Sequence, residues 1–106
     1  MAKYLFHGSY TAEGIRGVRS EGGSSREQAV RALAQSVGGS LESFYFAFGS
    51  DDYYAIVELP DNTRAAALAT TVAASGRASA ETVVLLTPAE VDAAAKVSVT
   101  YRAPGS

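Results

Sequence analysis

The chain of 106 residues contains no cysteine and no tryptophan, and it has one histidine and one methionine. Without thiols it can hold no disulfide, no cysteine-based zinc or iron–sulfur site and no thiol nucleophile. The absence fits a reducing compartment, and a cytoplasmic location is expected. Charge of one sign never accumulates. Nine basic and eleven acidic residues are scattered to a net charge of −2, with no basic run to meet a nucleic acid. No apolar run approaches the ~20 residues of a bilayer span. The apolar stretch of "MAKYLFHGSY" is too short for a signal segment. Neither nucleic acid nor membrane is expected as a partner. A single domain over residues 1–106 is expected, large enough to bury roughly two-thirds of its unfolded surface without staples.

Aromatic residues are concentrated. "FYFAFGSDDYYAIVELPD", Phe44 to Asp61, holds six of the ten Phe and Tyr. Around it the pattern alternates between elements. Lys3–Tyr10 reads as a strand. Thr11 caps a short helix to Ser20, with Ile15 and Val18 three apart. "EGGSS" breaks the chain. A helix over Arg26–Val37 follows, capped by Ser24 or Ser25, with Val30, Leu33, Ala34 and Val37 on one face and Gly38-Gly39 at its end. Leu41–Phe48 and Tyr53–Leu59 read as a hairpin joined by "GSDD". Asp61 or Asn62 caps a helix over Thr63–Ser75 whose inner face is Ala65, Leu68, Ala69, Val72 and Ala73. Thr82–Thr87 is a strand. "TPAE" has Pro at the first helical position and Glu where a capping box needs it, opening a helix to Lys96. Val97–Tyr101 alternates like an edge strand. Without the short helices the order is βαββαβ, an α+β, ferredoxin-like fold with strand order 4-1-3-2 and helices on one face.

With "GSDD" as the turn, Phe48 would pair with Tyr53, Phe46 with Ala55 and Phe44 with Val57. Alternation then gathers Phe44, Phe46, Phe48, Tyr53, Ala55, Val57 and Leu59 on the face toward the helices. The opposite face is mixed: Leu5, His7, Ser9, Ser43, Tyr45, Tyr54, Ile56 and Glu58. It is too apolar for solvent and too polar for a core, as expected of a covered pocket or a subunit interface.

Three blocks, "YTAEGIRGVRSEGG", "LESFYFAFGSDDYYAIVELPD" and "VVLLTPAEVDAAAK", resemble the GYD family of small bacterial proteins over nearly the whole chain. The resemblance implies a dimeric α+β barrel, in which two ferredoxin-like sheets pack face to face, and hence a homodimer. It supplies no reaction. One departure stands out: Gly49 is followed by Ser-Asp-Asp, so Asp51 occupies the place of the family's tyrosine. Related dimeric barrels include cofactor-free oxygenases, isomerases and haem-binding enzymes, and fold does not decide among them.

On the mixed face His7 is expected opposite Ile56, with Tyr54 and Glu58 as diagonal neighbours. A carboxylate beside an imidazole fixes its tautomer, as a general base requires. His7 as base with Glu58 orienting it is therefore the catalytic candidate; a half-buried structural histidine is the bland alternative. Tyr45, Tyr54, Ser9, Ile56 and Leu5 are the candidate ligand contacts, suited to an apolar or aromatic small molecule carrying one or two oxygens. Asp51 and Asp52 read as solvated turn residues. With no second histidine or nearby glutamate, no metal site is expected. "EGGSSR" could hold an anion at a helix start beside Arg26, but it lacks the pattern of a phosphate loop, and a capped helix explains it. Ser75 and Thr71 have no nucleophile elbow. Whether the chain is an enzyme stays open. The readings are a small-molecule-binding protein that works as a cofactor-independent oxygenase or isomerase, a haem protein with His7 as axial ligand, and a non-catalytic dimeric binding or regulatory module. Val97–Tyr101 is expected to pair with a sheet edge, the partner's.

Overall fold

A computed structural model describes all 106 residues. Its elements are β1 (Ala2–Gly8), α1 (Ala12–Glu21), α2 (Gly23–Ser36), β2 (Ser40–Phe46), β3 (Tyr53–Leu59), α3 (Asn62–Ala74), β4 (Glu81–Leu85) and α4 (Pro88–Ala95). The four strands form one antiparallel sheet in the order β2-β3-β1-β4. This is the expected α+β, ferredoxin-like arrangement, with α2 and α3 on one face.

The caps follow the sequence with one exception. Thr11 Oγ1 accepts from the Gly14 N–H, Asp61 Oδ1 accepts from the Arg64 N–H, and Thr87 and Glu90 form a reciprocal capping box. The exception is α2, which starts at Gly23 and not at Arg26, with no side-chain cap. Gly22 alone separates α1 from α2. Its φ of +89° lies where only glycine sits without strain, and its N–H donates back to the Val18 carbonyl. One residue turns the chain, so "EGGSS" is absorbed into helix.

The hairpin differs from expectation by two residues. Phe46, not Phe48, pairs with Tyr53, and Phe44 pairs with Ala55; a bulge between Leu41 and Ser43 sets Leu41, not Phe44, opposite Val57. The loop is longer because its end belongs to β1: the Asp52 N–H donates to the Gly8 carbonyl (2.7 Å) and the Ala47 N–H to the Asp52 carbonyl (2.8 Å). A shift of two preserves the faces. Phe48, however, leaves the sheet and is fully exposed.

The core is entirely apolar or aromatic, with Tyr4, Phe6, Val57 and Leu59 from the sheet and Ala34, Ala65 and Leu68 from the helices. The Tyr4 hydroxyl donates to Asn62 Oδ1 (2.5 Å). Ala73 faces solvent, contrary to its expected place on the inner face of α3. Tyr10, Phe44, Phe46 and Tyr53 pack ring against ring, Phe44 and Phe46 edge-on at 5.0 Å. Only 12 of 106 residues are buried, so much apolar surface has no partner within the chain.

Part of that surface lies at the C-terminus. β4 ends at Leu85, short of the expected Thr87, and α4 buries none of its residues. Val97–Tyr101 forms no strand within the chain; Val97, Val99 and Tyr101 are exposed. The outer sides of the edge strands β2 and β4 are unpaired, and the segment adds to neither; alternation alone does not make a strand. The radius of gyration, 16.8 Å, exceeds the about 13 Å of a compact chain of this length. An arm that stands off the body explains the excess.

Tyr53 supplies a test of the core. Its hydroxyl donates to the Ser79 carbonyl (2.7 Å), and burial pushes its pKa up to about 12 from 10.0. The folded state therefore holds this proton more tightly than the unfolded chain. The contribution is complete below pH 10 and is lost as the pH climbs through about 12. Tyr53→Phe should cost ~0.5–1.5 kcal/mol at neutral pH, one hydrogen bond, and should flatten the alkaline fall in stability. Urea unfolding at neutral and alkaline pH measures both; an unchanged alkaline limb would show that another group controls it.

Candidate functional site on the open sheet face

The face of the sheet away from the helices is uncovered in the single chain. Alternation sends Lys3, Leu5 and His7 to it from β1, Tyr54, Ile56 and Glu58 from β3, and Glu81, Val83 and Leu85 from β4, because directly opposed residues share a face. Tyr45 arrives from β2 opposite Tyr54. Leu5 and Ile56 are a cross-strand pair at its centre. Tyr45 is 70% exposed and Tyr54 39%.

His7 therefore joins Tyr45, Tyr54, Leu5 and Ile56 on one face, as the sequence predicts, but with different neighbours. Its cross-strand partner is Tyr54, and the two rings stack with centroids 5.8 Å apart. Glu58 stands opposite Lys3, and both Glu58 and Glu42 form ion pairs with the Lys3 ammonium. The carboxylate beside the imidazole is Asp51. His7 Nδ1 lies 2.5 Å from Asp51 Oδ2. An ionised carboxylate only accepts, so Nδ1 carries the proton and donates it. The ring's other nitrogen, Nε2, faces Glu81 Oε2 at 3.3 Å. Ser9 lies just past β1; its hydroxyl donates to the Ser50 carbonyl (3.0 Å), tying β1 to the loop that carries Asp51.

Asp51 and Asp52 are half-buried and bonded, not solvated turn residues. Asp52 Oδ2 accepts from the Tyr10 N–H (2.9 Å) while its neighbour reaches His7 on the open face. Sequence reasoning missed Asp51 and Glu81 as partners of His7. The turn was read two residues too short, which hid Asp51, and Glu81 comes from a strand whose register no local pattern reports. The signal for Asp51 was the doubled Asp itself, more acid than a hairpin turn needs.

His7, Asp51 and Glu81 offer one ligand atom each, all within 4.8 Å of one another. A metal ion does not fit between Nδ1 and Asp51, where 2.5 Å is a hydrogen-bond distance. The 3.3 Å between Nε2 and Glu81 does match two ligands that each sit ~2.0–2.1 Å from a tetrahedral ion. The Glu81 carboxylate faces the nitrogen that an axial iron or a substrate proton would equally have to reach, and its side chain, 75% exposed, has room to turn aside for either.

The site lies within a domain that has known relatives: the GYD domain family model matches residues 4–103. The chain belongs to the GYD family. No curated protein and no solved structure matches it. No helix of this GYD-domain protein is long and apolar enough to cross a membrane.

The Asp52 anchor positions both faces of the loop and can be tested alone. Asp52→Ala in the GYD domain removes a charge-assisted bond to the Tyr10 N–H and should cost ~1–3 kcal/mol. Asp52→Asn, which keeps an acceptor, should cost less. Thermal unfolding gives the ranking. Equal stability of wild type and Asp52→Ala would mean the loop holds its place without this bond.

Proposed function

We propose that this GYD-domain protein is a small-molecule-binding homodimer in which His7 acts as a general base on an apolar or aromatic ligand carrying an oxygen. The observation that carries the reading is the His7–Asp51 pair on an uncovered, half-apolar sheet face. Asp51 holds the Nδ1 proton, leaving the lone pair of Nε2 as the base. Tyr54 stacks on the imidazole and restricts its rotation. Leu5 and Ile56 supply the apolar floor, and the exposed Tyr45 hydroxyl can meet a ligand oxygen. A base that takes a proton from carbon and returns it to another carbon is an isomerase and needs no cofactor. The same carbanion, given dioxygen, is the start of cofactor-independent oxygenation.

A second copy is the natural cover. Leu5 and Ile56, half-buried, and Tyr54 and Val83, exposed, form a contiguous strip of the kind a partner covers, and the C-terminal arm carries Val97, Val99 and Tyr101 into solvent. Sheet against sheet closes the pocket, and the arm pairs with a strand edge of the other chain, where such edges need protection. Sedimentation should give a two-chain mass at micromolar concentration. Ile56→Asp, a charge at the centre of the strip, should yield monomers, and deletion of residues 97–106 should weaken the dimer. A wild-type monomer would sink the enclosed pocket.

A metal-assisted reading is favoured by one observation, the 3.3 Å bite of Nε2 and Glu81. A divalent ion there would be held by His7 and Glu81, with Asp51 orienting the imidazole. The two readings differ in Glu81. As a probe of base chemistry, exchange of the α-protons of phenylpyruvate in D2O can be followed by NMR. The base reading expects acceleration that falls ~100-fold or more in His7→Ala, less in Asp51→Asn, and little in Glu81→Gln. Loss in Glu81→Gln together with cobalt binding supports the metal. Exchange that survives His7→Ala removes the histidine from the chemistry, and a Soret band on addition of haemin would favour the haem alternative.

A further inference from the structure

The helical side of the sheet holds a second space, remote from His7. A cavity of about 60 Å³ lies between α2, α3 and the sheet, walled by Val30 and Leu33 of α2, Leu68 and Val72 of α3, and Phe44 and Val57 of the sheet. A groove of about 500 Å³ runs outside it between α1 and the end of α3. The two share Tyr10, Arg26, Leu33, Val72 and Ala78, so the apolar chamber and the groove adjoin at these side chains.

Arg26 stands at this neck and is the only non-hydrophobic residue lining the chamber. Its Nε is shielded from solvent and makes no hydrogen bond. Its nearest carboxylate, Glu21, is 3.9 Å from a terminal nitrogen. The neighbouring Tyr10 is half-buried; burial raises its pKa, opposed by the Arg26 charge, so at neutral pH its hydroxyl keeps its proton. The other cation of the groove is engaged: Arg77 holds Glu13 through Nε and a terminal nitrogen, both at 2.9 Å. α1 cannot settle closer over the groove's floor, because a Cβ on Gly14 would stand 1.9 Å from the Arg77 carbonyl oxygen and even glycine is in close approach.

We propose that this cleft binds a small monocarboxylic acid, its short alkyl group in the chamber and its carboxylate on Arg26 Nε–H and the Tyr10 hydroxyl. A buried, unpaired guanidinium N–H is best answered by an ionised acceptor. One negative charge suits the neck: Glu13 and Glu21 flank the groove and oppose a dianion such as phosphate. The chamber sets the tail. An apolar cavity of about 150 Å³ accepts benzene, so this smaller one takes a branched or short chain of a few carbons.

The full-length protein can be titrated with 3-methylbutanoate and, as the uncharged control, 3-methylbutanol, followed in ¹H–¹⁵N spectra that include the arginine Nε–Hε signals. Millimolar binding is expected for so small a ligand. The acid should shift the Arg26 Nε–Hε signal and the amides of Val30, Leu33 and Val72, and should bind about tenfold tighter than the alcohol. Arg26→Gln should erase that preference without moving alcohol binding. Val72→Phe should fill the chamber and abolish both, with Val30→Leu as the milder variant should Val72→Phe fail to fold. His7→Ala should bind the acid as the wild type does, which separates this cleft from the open face. No shift at Arg26, a preference for the acid undiminished in Arg26→Gln, or shifts confined to Leu5, Tyr54 and Ile56 would each overturn the proposal.

Discussion

The loop of residues 47–52 is held to β1 by main-chain and carboxylate bonds, and both faces of the sheet depend on that tie. Asp52 gives its N–H to the Gly8 carbonyl and takes the Tyr10 N–H on its side chain. Adjacent residues in an extended segment project to opposite sides. Fixing Asp52 against the Tyr10 backbone therefore directs Asp51 to the open face, where it meets His7. The same bond fixes the start of the segment leading into α1, and so places the Tyr10 ring against Phe46 and Tyr53 and at the neck of the helix-side cleft. A loop that looks like a turn is the joint between the two candidate sites.

Much of the fold could be read from residues alone, for local reasons. Capping residues at Thr11, Asp61 and Thr87 act within one turn, and each stands where its pattern placed it. The continuous "YYAIVEL" of β3 has the predicted bounds because Pro60 ends it and the doubled Asp precedes it. The strand order followed from the βαββαβ order of elements and was found in the sheet. The departures were non-local. Nothing near Phe48 tells that Asp52 will bond to Gly8, and that bond removed Phe48 from the strand. The alternation of Val97, Val99 and Tyr101 reports a face, not a pairing, and the segment joins neither edge of the chain's own sheet.

Legibility of the site followed the same divide. Face membership of His7, Tyr45 and Tyr54 depends on parity, and parity survives a register error of two. The identity of the carboxylate beside His7 depends on the register itself, and there the expectation of Glu58 gave way to Asp51. Glu58 instead closes an ion pair with Lys3, one position pair beyond Leu5 and Ile56. Arg26 was visible as a residue beside a glycine-rich helix start. Its unbonded Nε was not, because that depends on how the folded groove shares its carboxylates: Glu13 is taken by Arg77, and Glu21 stands 3.9 Å from a terminal nitrogen of Arg26.

The two faces differ in what they lack. The open face has its polar groups partnered, the Lys3 ammonium by Glu42 and Glu58 and the His7 ring by Asp51 and Glu81, but its apolar residues have no cover. The helical face has its central apolar residues, Tyr4, Phe6, Val57 and Leu59, buried beneath α2 and α3, but a gap remains between those helices and one guanidinium N–H is left without an acceptor. Missing apolar area is answered by a large, flat partner, since the hydrophobic effect scales with area and is not directional. A missing acceptor at the neck is answered by a small, directional one, since a hydrogen bond is strong only at the right distance and angle. The two deficits thus call for different occupants, and a chain of this size can meet both because the sheet separates them.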